Sequence, residues 1–243
     1  MSLKDDSARK FRKEKNKWDI ESYSDYEERE ENLLKQRLYS KEPTITGEVR
    51  ITGGKVKNYN ISIPKNTRPL TDRIKVRIFD ILSKDIANKR ILDLYAGSGS
   101  FGLESLSRGA KHVTFVDASK HSYRAIDENI KKLGLSEQTE LIKEKTDEYL
   151  FKLKDSDLIF DIVFMDPPFK LYNTKNLFKM QNTINLASQF LPGVKTTKNK
   201  FKGALIIKHP RHYPIEKIVL QNLKIAEKYK FGLNTLTLMI VKH

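Results

Sequence analysis

The sequence predicts an α/β fold, a parallel sheet with helices on both faces, and three observations lead there. From Arg90 onward short apolar runs alternate with helix-periodic stretches, the pattern of βαβ units. One of these runs, Ile91–Tyr95, empties into the turn Ala96-Gly97-Ser98-Gly99 just before a helix begins. Two further runs end on acids, Asp117 and Asp166, the strand ends at which ligands of open α/β sheets bind.

Taken in order, the expected strands are Ile91–Tyr95, Val113–Asp117, Thr139–Lys143, Ile162–Asp166 and Ala204–Lys208. Ala226–Lys230 and Leu236–Val241 close the sheet as an antiparallel pair. Helices fill the gaps at Ser100–Ser107, Lys120–Leu133, Thr146–Leu153 and about Thr174–Gln189. Before Arg90, Val49–Thr52 and Asn60–Ile63 read as two strands around the Gly53-Gly54 turn. A helix then starts at an N-cap, Thr71, and repeats Ile74, Ile78, Ile81 and Leu82 on one face, leaving Arg73, Lys75 and Arg77 on the others. Residues 1–22 read as a mobile charged arm, and Ser24 with Glu27 as the capping box of a short charged helix. Residues 194–202 read as a basic loop. The expected division is a charged extension over 1–46, a β-hairpin and helix over 47–88, and the sheet domain over 89–243.

With 243 residues the chain suffices for one well-buried core with attachments. No apolar run approaches the roughly 18 residues of a membrane span. The N-terminus lacks the apolar stretch of a secretory signal, so a cytoplasmic protein is expected. Zero cysteines exclude disulfides, thiolate nucleophiles and zinc–thiolate sites. The five histidines show no metal-ligand spacing, and no metal is expected.

The net charge of +15 is unevenly spread: zero over 1–46, +7 over 47–92, −4 over 93–168 and +12 over 169–243. An acidic centre between basic flanks suggests small-ligand chemistry in the middle and polyanion contact from the sides. The flanking cations include Arg50, Lys55, Arg68, Arg73, Lys75 and Arg77, then Lys195, Lys198, Lys200, Lys202, Lys208 and Arg211; any one of them alone reads as plain solubility.

Taken alone, Gly97-Ser98-Gly99 with Gly102 fits a dinucleotide site, in which glycines let a pyrophosphate approach a helix N-terminus. Asp93 shifts the balance, because a carboxylate there repels a diphosphate and attracts the ammonium of an amino-acid tail. S-adenosylmethionine carries such a tail, a sulfonium and a ribose, and no phosphate. Asp117 can accept from both hydroxyls of a ribose, that of a nicotinamide cofactor included. Asp147 is a candidate acceptor for an adenine amine, or an ordinary acid at a helix start.

Asp166-Pro167-Pro168-Phe169 is the discriminating motif. An exocyclic purine amine is a poor nucleophile because its lone pair is delocalised into the ring. As it attacks a methyl group it gains positive charge, which the Asp166 carboxylate and the Pro167 carbonyl would stabilise while aiming the lone pair. Two prolines stiffen the turn, and Phe169 offers a face on which a base can stack once it has left its helix.

Three blocks together resemble the RsmD-type methyltransferases, which modify a guanine N2 of 16S ribosomal RNA. They are Arg50–Lys55 leading to Arg68–Arg73 and Phe79; Asp93–Ala110; and Asp166–Phe169. The resemblance covers about residues 49–243. It implies a seven-stranded class I methyltransferase (Rossmann-like) sheet and S-adenosylmethionine as cofactor. It also implies ribosomal RNA or the small ribosomal subunit as partner, and a monomer. The cofactor would then lie on Asp93, Ala96, Gly97, Ser98, Gly99, Asp117, Ala118, Thr146 and Asp147. The target amine would meet Asp166, Pro167, Pro168 and Phe169, and RNA would meet Arg50, Lys55, Arg68, Thr71, Arg73 and Lys75. The chain departs from the family pattern at Leu70, Val76, Ser119, Lys145 and Lys208. Two other readings stand beside this one: an N6-adenine or other-guanine methyltransferase, and a catalytically silent RNA-binding assembly factor on the same fold. A nicotinamide dehydrogenase is a third.

Overall fold

A computed structural model describes residues 47–242, apart from 65, 66, 68, 84 and 194–202. The expectations for the extension over 1–46, for the basic loop over 194–202 and for Arg68 lie outside the described residues. Two short strands, β1 (Glu48–Arg50) and β2 (Asn60–Ser62), pair antiparallel and are followed by α1 (Asp72–Ile81). The units β3 (Arg90–Leu94), α2 (Ser100–Ser107), β4 (His112–Val116), α3 (Lys120–Leu133), β5 (Thr139–Ile142), α4 (Thr146–Lys152), β6 (Ile162–Met165), α5 (Leu177–Ser188) and β7 (Ala204–Pro210) then alternate. An antiparallel pair, β8 (Leu223–Phe231) and β9 (Asn234–Val241), closes the chain. The seven-stranded sheet runs β5-β4-β3-β6-β7-β9-β8. Its first five strands are parallel, so strand order reverses direction between β3 and β6 and opens a crevice at their C-terminal ends.

Strand alternation sorts the core into two faces. Ile91, Val113, Phe115, Ile162, Phe164 and Ile206 point to one side, under α1, α2, α3 and the hairpin. Leu92, Leu94, Val116, Val163, Met165, Leu205 and Ile207 point to the other, under α4 and α5. Residues 47–88 share the first core: Ile51, Ile61, Ile74, Ile78 and Phe79 are buried in it, and Phe79, Phe101 and Phe164 form a continuous ring stack, with centroids 5.5 and 4.2 Å apart. All eight residues of α2 are buried. Ser119 caps α3 by accepting from the Ser122 N–H at 3.3 Å, and Gly134 ends it in the left-handed conformation. A β-bulge between Ile225 and Glu227 turns β8 over, so Leu223 and Ile225 pack into the second core whereas Tyr229 and Phe231 pack into the first.

One sequence expectation needs correction here. The Gly53-Gly54 pair does not by itself turn the hairpin; the connection runs from Ile51 to Tyr59 and the glycines lie against the end of α2. A Cβ on Gly54 would fall 1.9 Å from the Ser107 carbonyl oxygen, and one on Gly53 2.4 Å from the Arg108 guanidinium. Lys55 N–H donates to that Ser107 carbonyl at 2.7 Å, and Ser107 Oγ donates to the Gly53 carbonyl at 2.6 Å. Thr71 occupies the N-cap of α1 with extended backbone, but its side chain makes no capping bond.

Candidate active site

At the tips of β3, β4 and β6 the structure brings three carboxylates together. Asp93 is the fourth of five residues in β3, only 1 % exposed, and accepts the Gly102 N–H of α2 at 3.0 Å. Burial pushes its carboxyl well above the usual 3.8; the Gly102 N–H opposes this, and the charges of Asp166 and Asp117 push it further up. A buried acid short of counter-charge is a site that gains from an arriving cation.

Beyond Leu94 the chain turns sharply. Tyr95, Gly97 and Gly99 all take positive φ, at 58°, 59° and 72°. Asp117 holds the turn, because its Oδ2 accepts the Gly97 N–H at 2.9 Å while its Oδ1 accepts the Ser119 N–H at 2.8 Å. Ala96 donates its N–H to the Val116 carbonyl at 3.2 Å, Ser98 is buried and Ala118 is exposed beside Asp117. The glycines serve three different purposes. A Cβ on Gly97 would meet Thr67 at 2.8 Å, one on Gly102 would meet Phe115 at 2.2 Å, and Gly99 supplies the left-handed entry to α2. Ser100 opens α2 with its Oγ buried and without a hydrogen-bond partner among the described residues. An orphaned hydroxyl at a helix N-terminus, just after the Gly97–Gly99 turn and on the helix whose Gly102 N–H holds Asp93, suits a zwitterion with an extra positive charge.

On the α4 side Tyr95 is mostly buried, and its hydroxyl bonds to the side chains of Thr146 and Thr183. Burial foremost, and the Asp147 charge after it, push the phenol up to about 12 against those bonds. Thr146 is buried, and Asp147 pairs with Lys179 at 2.7 Å.

Asp166 follows β6 directly, and its carboxylate Oδ1 accepts from Lys208 Nζ of β7 at 2.5 Å; the two side chains are 18 % and 9 % exposed. The sequence groups Lys208 with the phosphate-facing flank, and the structure corrects this: its ammonium is turned inward to Asp166 because a buried lysine needs a counter-charge. Pro167 is buried, Pro168 is exposed, and Phe169 begins a short 3-10 turn. The Phe169 ring lies 5.9 Å from Lys208 Nζ and edge-on to Tyr172 at 6.3 Å. Tyr172 OH in turn donates to the Lys208 carbonyl at 2.5 Å.

Of the residues expected to meet RNA, Lys55, Thr71 and Arg73 are exposed, and Arg50 is exposed while bonded to Asp72 at 2.8 Å. Lys75 is the exception. It is fully enclosed, donates to the Arg50 carbonyl, and lies 3.3 Å from Asp72 and 3.7 Å from Glu104, so no phosphate can reach its ammonium. Glu104, equally enclosed, accepts from the Thr52 N–H at 2.9 Å, from the Thr52 hydroxyl and from Arg108 Nη2 at 2.9 Å. Glu104, Ser100, Tyr95 and Tyr172 are contributors that sequence reasoning did not single out. The available signal was Glu104 standing on a helix with no polar face.

Residues 49–240 match the family model described as conserved hypothetical protein 95. The chain belongs to that family, the RsmD type. Ribosomal RNA small subunit methyltransferase D of Haemophilus influenzae is 38 % identical over 130 residues, which are 52 % of this chain and 67 % of that protein. The Escherichia coli K12 protein of the same name is 30 % identical over 127 residues, 51 % of this chain and 62 % of that one. Among solved structures, a hypothetical protein of Thermus thermophilus superposes with a TM-score of 0.63 at 27 % identity, over 79 % of this chain and 99 % of its own. The sheet is that of the class I methyltransferases. Among the described residues no helix is long and apolar enough to cross a membrane, and no cluster of His, Asp and Glu could hold a metal ion.

Proposed function

We propose that the chain transfers a methyl group from S-adenosylmethionine to the exocyclic N2 of a guanine in 16S ribosomal RNA. The observation that carries this reading is Asp166, half-buried at the mouth of the crevice with one carboxylate oxygen held by Lys208 and the other free of hydrogen bonds among the described residues. An acceptor of that kind beside the cation-seeking Asp93 suits an amine attacking a positively charged donor.

Asp93 and the start of α2 with Ser100 would hold the two charged ends of the methionine tail, and Asp117 the ribose. Thr146 and Asp147 would meet the adenine. Bound there, the cofactor supplies an electrophilic methyl group on sulfur. Asp166 and the Pro167 carbonyl accept the two N–H bonds of the target amine, point its lone pair at that carbon and offset the charge that builds on nitrogen. The amine would take that methyl group from the sulfur and shed one proton, since an aryl ammonium is strongly acidic. Phe169 stacks on the extruded base, and Arg50, Lys55, Arg68, Thr71 and Arg73 contact the backbone around it. The names of the curated relatives support ribosomal RNA as the substrate class.

Tritiated-methyl transfer onto undermethylated small subunits and onto protein-free RNA, with the product nucleoside mapped, tests this. N2-methylguanosine is expected; N6-methyladenosine would shift the target to adenine. Tight RNA binding without incorporation at saturating cofactor would leave a silent assembly factor.

A further inference from the structure

Lys208 is held at both ends. Its carbonyl receives the Tyr172 hydroxyl at 2.5 Å, and its ammonium sits 2.5 Å from Asp166 Oδ1 and 5.9 Å from the centre of the Phe169 ring. Tyr172 and Phe169 belong to one short turn, so β7 is stapled to the loop that carries both the acceptor and the stacking ring. The crevice holds three carboxylates, with Asp93 within electrostatic reach of both Asp117 and Asp166. Asp93 and Asp117 are restrained by backbone N–H groups, whereas among the described residues the Asp166 carboxylate has only the Lys208 ammonium. An aspartate side chain has two rotatable bonds, and without that ammonium nothing described would choose among its rotamers.

We infer that Lys208 is a positioning residue for methyl transfer: it fixes Asp166 by one oxygen so that the second oxygen and the face of Phe169 address a single target amine. This rests on the methyltransfer reading above.

The experiment is a double-mutant cycle on the full chain with small subunits as substrate, read as kcat and KM for tritiated-methyl transfer. Lys208→Met should lower kcat about 30-fold, with KM for cofactor and for subunits changed less than threefold, and Lys208→Arg should recover at least a third of the lost rate. In an Asp166→Asn background, where the carboxylate to be aimed is gone, Lys208→Met should change kcat less than twofold. Melting curves on each variant separate rate from folding: a Lys208→Met protein that binds cofactor at wild-type affinity and melts within a few degrees of wild type is folded enough to judge. If Lys208→Met keeps kcat within twofold, or if its effect is equally large in both backgrounds, the residue does not act through Asp166 and the inference fails. If Lys208→Met does not fold, the Arg variant decides alone: full loss of kcat in a folded Lys208→Arg protein overturns the inference. A wild-type chain that methylates nothing would instead defeat the parent reading.

Discussion

Two lysine–carboxylate pairs, Lys75 with Glu104 and Lys208 with Asp166, sit at opposite extremes of how completely a buried charge is enclosed. In the first, both partners are fully buried and every polar group around them is answered: Thr52 by N–H and hydroxyl, Arg108 by its guanidinium, Arg50 by its carbonyl. In the second, one carboxylate oxygen is held by Lys208 and the other has no hydrogen-bond partner among the described residues. A buried ion pair gains little stability over an apolar replacement, but breaking one by removing a single partner is severe. The enclosed pair therefore ties the hairpin, α1 and α2 into one body, and the half-satisfied pair is free to engage something that arrives from outside.

The sharpest way to break this contrast is at the enclosed pair. Glu104→Gln removes the enclosed carboxylate shared by Lys75 and Arg108 and leaves Lys75 the part-exposed Asp72 at 3.3 Å; it should cost about 3 kcal/mol of stability, seen as a large drop in melting temperature with kcat per folded molecule nearly preserved. Next is Asp166→Asn, which should lower kcat by about 10²–10³-fold while cofactor affinity holds and melting shifts by only a few degrees. If the two variants exchanged these signatures, the assignment of a clamp and a working site would be reversed. Gly102→Ala comes third. Its Cβ would press on Phe115 at 2.2 Å, and overpacking of this kind costs about 1–3 kcal/mol; because Gly102 N–H also holds Asp93, cofactor affinity should fall as well, which calorimetry would show.

The fourth concerns pH. Asp93 keeps its proton well above 3.8 in the folded protein, so folding takes up a proton and apo stability declines as pH rises from 3.8 through that raised value. If, as proposed, the cofactor's ammonium meets Asp93, it needs the ionised form, and cofactor affinity should weaken as pH falls through the same range, by at most tenfold per unit. Asp93→Asn should flatten both profiles in titrations across that range. The smallest effect belongs to Lys55→Gln, which should reduce the slope of log affinity for RNA against log salt by about 0.9 for one lost phosphate contact.

Much of this was legible in the sequence, and the misses have physical causes. The bounds of α2 and α3 agree residue for residue with expectation, since the glycine turn and the Ser119 and Gly134 caps leave little choice. Strands β3, β4 and β6 each stop one residue short of expectation, at Leu94, Val116 and Met165. The residue past each tip is Tyr95, Asp117 or Asp166; Asp117 and Asp166 still donate their N–H to the neighbouring strand, at 3.1 and 3.4 Å, so only the end of the ladder was misplaced. Lys75 escapes a reading by periodicity because Ile74, Ile78 and Ile81 define an apolar stripe that excludes it. It also stands four residues before Phe79 and seven before Leu82, both buried, and that second stripe is the overlooked sign. Lys208 escapes for a related reason: composition counts cations, and only tertiary structure tells which of them meets a carboxylate.

The bulge in β8 has a consequence for how the molecule comes apart. One strand lends its first half to the layer beneath α4 and α5 and its second half to the layer beneath α1 and α2. Neither layer can then be shed while the other stays intact, because detaching the strand strips both. Amide protons in β7 and β9 should exchange with solvent with one shared opening free energy, as a single cooperative opening and not as two successive ones.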